Sequence, residues 1–141
     1  MSRHTARLAA VEVLYAADVR GADPAELLAE RPRVASYAVR LIEAITARRE
    51  EIDSILSAKS IGWPMQRMSP VDRNVLRIGV LELLEGDIPP AVIIDEAVEL
   101  AKRFSGEPAG RFVNGILAAV LADRQEPGVA PEPSPAPGSG S

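Results

Sequence analysis

The sequence predicts an all-α fold of about seven helices in two small packed subdomains. Three observations carry that prediction. Apolar residues recur at intervals of three and four rather than alternating, the period of a helix with one buried face. Proline, glycine, aspartate and serine fall between these runs, where helices start and stop. Finally, the polar and proline-rich part of the chain is confined to one end. Residues 127–141 hold five of the twelve prolines and three of the ten glycines, with Glu132 as the sole charge. Such a stretch buries too little apolar surface to offset its ordering entropy, so it is read as a disordered tail. Residues 1–126 are read as one folded domain, long enough for a core without staples.

Each element follows from local signals. Leu8, Val11, Tyr15 and Val19 form the stripe of a first helix. Gly21, Asp23 and Pro24 break the chain, with Asp23 as N-cap and Pro24 in the first helical position. A short helix then runs to about Glu30, ahead of Pro32. Val34, Tyr37, Ala38, Leu41 and Ile45 repeat at three and four, and Ile52, Ile55 and Leu56 continue the phase. A break near Glu50 makes two helices of this stretch. Gly62, Pro64 and Pro70 bracket a connector holding Trp63 and Met65. Ser69 and Pro70 open a helix through Leu84 whose apolar residues cover most of its circumference, the pattern of a centrally buried helix. Glu82 lies on its apolar side, where an ionised carboxylate needs hydrogen bonds. The orphan backbone donors of the next helix start, near Pro89, are the expected partners. Ile93, Ala97, Leu100, Ala101 and Phe104 form the following stripe. After Gly106 and Pro108, a last helix opened by Arg111 and Phe112 buries Val113, Ile116, Leu117, Val120 and Leu121 and ends near Arg124.

Composition excludes several chemistries. There is no cysteine and one histidine, His4, so thiolate and His-rich metal sites and most acid–base triads are not expected. No cofactor or metal is predicted. No Gly-Lys-Ser/Thr loop and no Gly-x-Ser-x-Gly elbow occurs. Asp95 and Glu99 share a helical face, but a helical di-iron site also wants Glu-x-x-His pairs. The plain reading is a solvated face with Glu99 paired to Arg103 at i,i+4, and no enzyme is expected. No apolar run approaches the ~20 residues of a membrane helix, and charges interrupt the first residues, so a soluble cytoplasmic protein is expected.

Charge is where function shows. Sixteen basic residues against twenty acidic ones give a net charge of −4, and fourteen of the sixteen are arginine. Arg3 and Arg7, four residues apart, place two guanidinium groups on one side of the first helix, with His4 beside them. Screening makes such a patch local, so it can bind an anion on an acidic protein. Arg111 beside Phe112 offers a second guanidinium next to an aromatic ring. Phosphate contact with base stacking is how single-stranded RNA is held.

Several segments, in order, resemble the NusB antitermination factor family. They are Arg3-His4-Thr5-Ala6-Arg7-Leu8-Ala9-Ala10 leading to Leu14-Tyr15, Gly62-Trp63, Val71-Asp72-Arg73 to Leu76-Arg77, and Glu82-Leu83. The most specific are Asp95-Glu96-Ala97-Val98-Glu99-Leu100-Ala101-Lys102 and Phe112-Val113-Asn114-Gly115-Ile116-Leu117. The resemblance implies two three-helix-like bundles packed across each other. It also implies binding of single-stranded boxA RNA in ribosomal RNA transcripts, together with the ribosomal protein NusE, within an antitermination complex on RNA polymerase. It places Arg3, His4, Arg7, Tyr15, Arg111 and Phe112 at the RNA and Asp72, Arg73 and Arg77 at the NusE-facing surface. Many relatives have three or four basic residues in the opening run. With Arg3 and Arg7 joined only by His4, modest and slightly pH-dependent RNA affinity is expected of the isolated protein. Two alternatives stand beside this reading. One is an RNA-independent interaction bundle that forms a homodimer. The other is a relative of the NusB-like domain of ribosomal RNA methyltransferases, disfavoured because only the tail follows Arg124.

Overall fold

A computed structural model of the chain describes residues 2–31 and 33–125. The described residues form seven α-helices and no strand. The helices are α1 (Arg3–Arg20), α2 (Pro24–Ala29), α3 (Ser36–Ala47), α4 (Arg49–Lys59), α5 (Pro70–Glu85), α6 (Pro90–Ser105) and α7 (Glu107–Gln125), with a single 3₁₀ turn, Met65–Arg67, leading into α5. The expected tail, 127–141, lies outside the described residues.

Local chemistry sets the boundaries. The Ser2, Asp23 and Ser69 side chains accept from the backbone N–H of Thr5, Ala25 and Asp72 at 3.1, 3.0 and 3.1 Å. Each such cap contributes about 1 kcal/mol by pairing an otherwise orphaned donor. Gly21 (φ 67°) and Gly86 (φ 74°) end α1 and α5 in the left-handed conformation that glycine adopts without a Cβ clash. The break between α3 and α4 falls at Arg48, two residues before the predicted Glu50. α7 starts at Glu107, four residues earlier than the sequence suggested. Pro108 sits in its first turn, where a missing N–H removes no helical bond. Arg111 and Phe112 therefore occupy the second turn.

The centre of the molecule is α5. Its residues Asn74 to Leu83 are all buried, and it touches α1, α3, α4, α6 and α7. α1, α2 and α3 pack together on one side of it, and α6 and α7 pair on the other, with α4 reaching both α5 and α7. Gly79 lets α5 and α7 pack closely: a Cβ there would lie 2.7 Å from the Cδ1 of fully buried Leu117 on α7.

Two predicted stripes are only partly core. On α1, Tyr15 and Val19 are exposed, whereas Ala6, Ala10, Val13, Leu14 and Ala17 are buried. The inward face is rotated from the predicted one. Phe104, at the end of α6, is likewise exposed.

Candidate nucleic-acid interface

The first turn of α1 meets α3, α5 and α6 in a charged cluster. Arg3 is exposed, its guanidinium carbon 4.9 Å from the centre of the Tyr37 ring. Arg40, on α3, lies at the same distance from that ring and donates to both Glu85 oxygens at 2.8 and 3.2 Å. The Tyr37 hydroxyl donates to Glu82. Burial, then the hydrogen bond to Glu82 and its charge, push that hydroxyl's pKa above the usual tyrosine value. His4 is half-exposed, with Nδ1 2.6 Å from Glu96 Oε1 of α6.

Arg7 departs from expectation. It was expected to stack with Arg3 on an open face, yet it is 3% exposed. Its Nε donates to Glu82 Oε1 and Oε2 at 3.0 and 2.9 Å, and its Nη1 lies 3.5 Å from Glu96. The reason is phase: Arg7 lies on the side of Ala10 and Leu14, which are core residues. The same contact corrects the expectation for Glu82. Its partners are Arg7 and Tyr37, not the backbone donors near Pro89. Likewise, Glu99 pairs with Lys102 at 3.7 Å rather than with Arg103.

A second polar network sits where the last turn of α1 meets α4 and α5. Asp18 accepts from Asn74 at 2.9 Å, from Arg77 at 3.1 Å, from Arg73 at 3.2 and 3.3 Å and from Arg49 at 3.3 Å. Burial alone would raise the Asp18 pKa. The Asn74 hydrogen bond and the charges of Arg77, Arg73 and Arg49 outweigh it and hold the carboxyl below its usual range. Arg77 also donates from Nε and Nη2 to Asp53 at 2.9 and 3.0 Å. Asp18, Asp53 and the three arginines line a polar cleft of about 410 Å³ with Met65 and Gln66. Of the three residues expected to face a protein partner, Arg77 is buried and Arg73 is turned onto Asp18 and the Met65 carbonyl. Asp72, near the start of α5, accepts from Ser105 Oγ at 3.1 Å.

The aromatic residues gather on the surface. Tyr15 lines a groove of about 340 Å³ with Val11, Glu12, Val71 and Phe104. Phe112 lines a neighbouring one of about 540 Å³ with Ile61, Trp63, Arg67, Met68 and Pro108. Val71–Asp72 and Phe104–Ser105 connect the two, joined by the Asp72–Ser105 hydrogen bond. Arg111 is exposed beside Phe112. Trp63 and Phe104 were not singled out as site residues. Their signal was compositional: the chain has only five aromatic residues, and none belongs to the fully buried core.

Among the described residues no cluster of His, Asp and Glu is arranged to hold a metal ion, and no helix is long and apolar enough to cross a membrane. The sequence profile of the NusB family matches residues 4–122. The chain belongs to the NusB family. It is 44% identical to the transcription antitermination protein NusB of Acidothermus cellulolyticus, over 96% of this chain and 98% of that one. It is 49% identical to the NusB of Saccharopolyspora erythraea, over 87% and 90%. A crystal structure of the antitermination factors NusB and NusE in complex with dsRNA matches with a TM-score of 0.73 and 36% identity, covering 86% of this chain and 98% of that one. The NusB match takes in α1 from His4 onward and nearly all of α7, and so spans both polar networks and both aromatic grooves.

Proposed function

We propose that this NusB-family chain is a non-catalytic transcription antitermination factor. It binds boxA RNA of ribosomal transcripts and docks a NusE-type ribosomal protein within an RNA polymerase complex in the cytoplasm. Support comes from relatives that bear the name transcription antitermination protein and are matched almost end to end. A further support is the solved NusB–NusE assembly with RNA.

The observation that carries the RNA reading is one seam along α1 and α6. At its start stands Arg3, which has no carboxylate partner among the described residues, next to half-exposed His4. Twelve residues along α1 from Arg3, about 18 Å at the helical rise, Tyr15 and Phe104 open the aromatic grooves. Phosphates follow Arg3 and His4, bases stack on Tyr15, Phe104, Trp63 and Phe112, and Arg111 takes a phosphate at the far end. Arg7, held by Glu82, fixes α1 on α5. On the protein side, Asp72 and the rim around Gln66 and Arg67 meet the partner, with Arg73 and Arg77 holding that rim through Asp18.

The test is a titration of single-stranded boxA RNA across salt, with and without the ribosomal partner. Two surface arginines, Arg3 and Arg111, on single-stranded phosphates predict a log–log slope of about −1.4. Arg3→Gln should weaken binding with the melting temperature unchanged. Binding without salt dependence, or an Arg3→Gln variant that binds as wild type, overturns the proposal.

A further inference from the structure

The RNA-facing end of α1 already holds an anion of the protein's own. Glu96, from α6, places Oε1 2.6 Å from His4 Nδ1 and 3.5 Å from Arg7 Nη1. Glu82 is the other carboxylate on Arg7, and it takes the Nε edge from the buried side. The two carboxylates differ in accessibility: the Glu82 side chain is 1% exposed, that of Glu96 30%. Glu82 is a fixed part of the interior. Glu96 is a partly solvated side chain lying against one other nitrogen of Arg7, Nη1.

We infer that the position of the Glu96 carboxylate is a phosphate subsite, formed by His4 Nδ1 and Arg7 Nη1, which an RNA phosphodiester takes over by displacing Glu96. A carboxylate and a phosphate present oxygens of the same charge sign and hydrogen-bonding character to a guanidinium. One leaves as the other arrives. Glu96 then swings into solvent, which its exposure permits, and Arg7 gains an outward contact while Glu82 keeps it in place. Glu96 thereby sets the affinity of the site. It covers two donors in the free protein, and a bound phosphate must outcompete a tethered anion already in contact. This inference rests on the RNA reading above and names a competitor within that site.

Glu96→Gln tests it. Glu51→Gln serves as the control: its carboxylate is also partly exposed and bound to an arginine, Arg48, at 2.9 Å, and its loss changes the net charge equally. At one fixed pH, single-stranded boxA RNA and inorganic polyphosphate are titrated into the full chain and both variants. Glu96→Gln should bind both ligands about two- to fivefold more tightly than Glu51→Gln, the range set by removing a partly exposed ion-pair competitor. Equal affinities in the two variants overturn the inference while leaving wild-type RNA binding intact. If Glu96→Gln gains on polyphosphate while no form binds boxA RNA, the subsite stands and the RNA reading falls.

Discussion

Arg7→Ala tests whether this guanidinium is anchored in the interior by Glu82. The variant leaves Glu82, 2% exposed, with the Tyr37 hydroxyl as its remaining hydrogen-bond donor. Breaking a buried pair by removing one partner costs about 3–5 kcal/mol, chiefly because the other charge is stranded. Replacing both residues by apolar ones of similar volume, Arg7→Met with Glu82→Leu, strands no charge and should recover most of that loss. Urea unfolding followed by helical circular dichroism measures both. With a denaturant slope of about 1–3 kcal/mol per molar, the single variant should shift its midpoint down by more than about 1 M, and the double variant by much less. An Arg7→Ala unfolding free energy within about 0.5 kcal/mol of wild type would refute the buried pair. A loss of RNA binding at unchanged stability would make Arg7 a surface contact after all.

Two further expectations concern stability. The folded-state pKa of Asp18 is depressed, so its contribution is present above the unfolded carboxylate value of about 3.9 and is lost as pH falls through the folded one. The stability difference between wild type and Asp18→Asn should therefore be largest near neutrality and shrink in acid; a difference independent of pH contradicts the network. Gly79→Ala brings a Cβ to 2.7 Å from Leu117 in a filled core. Overpacking of about 1–3 kcal/mol exceeds the gain of about 1 kcal/mol in helix propensity, so thermal unfolding should show net destabilisation of about 1 kcal/mol. An unchanged or raised melting temperature would mean that Leu117 moves aside without cost.

The helices were legible in the sequence because their signals are local. Ser69–Pro70 and Asp23–Pro24 announce helix starts by their own geometry, and the period of three and four survives in a single chain. The start of α7 lies before Pro108 because a proline that resembles punctuation in the sequence also fits a first helical turn. The site was less legible, since its decisive contacts join residues far apart. Arg7 and Glu82 are 75 positions apart, and Asp18 and Arg77 are 59. No spacing rule pairs them. One clue was present, because the supposed cationic stripe through Arg3 and Arg7 continues into Ala10 and Leu14, which mark a buried face. Tyr37 was read as an apolar stripe residue, although its ring carries Arg3 and Arg40 and its hydroxyl meets Glu82.

α5 bears a particular burden. Near one end it supplies Asn74, Arg73 and Arg77 to the Asp18 junction, and near the other Glu82 clasps Arg7 and Tyr37. The scaffolds of the proposed transcript-facing and protein-facing surfaces are thus two stretches of one helix about 24 Å long. Damage to its middle disables both at once. Alleles that abolish one activity and spare the other will therefore map to peripheral side chains such as Arg3, Glu96 or Asp72, while interior α5 alleles will behave as nulls.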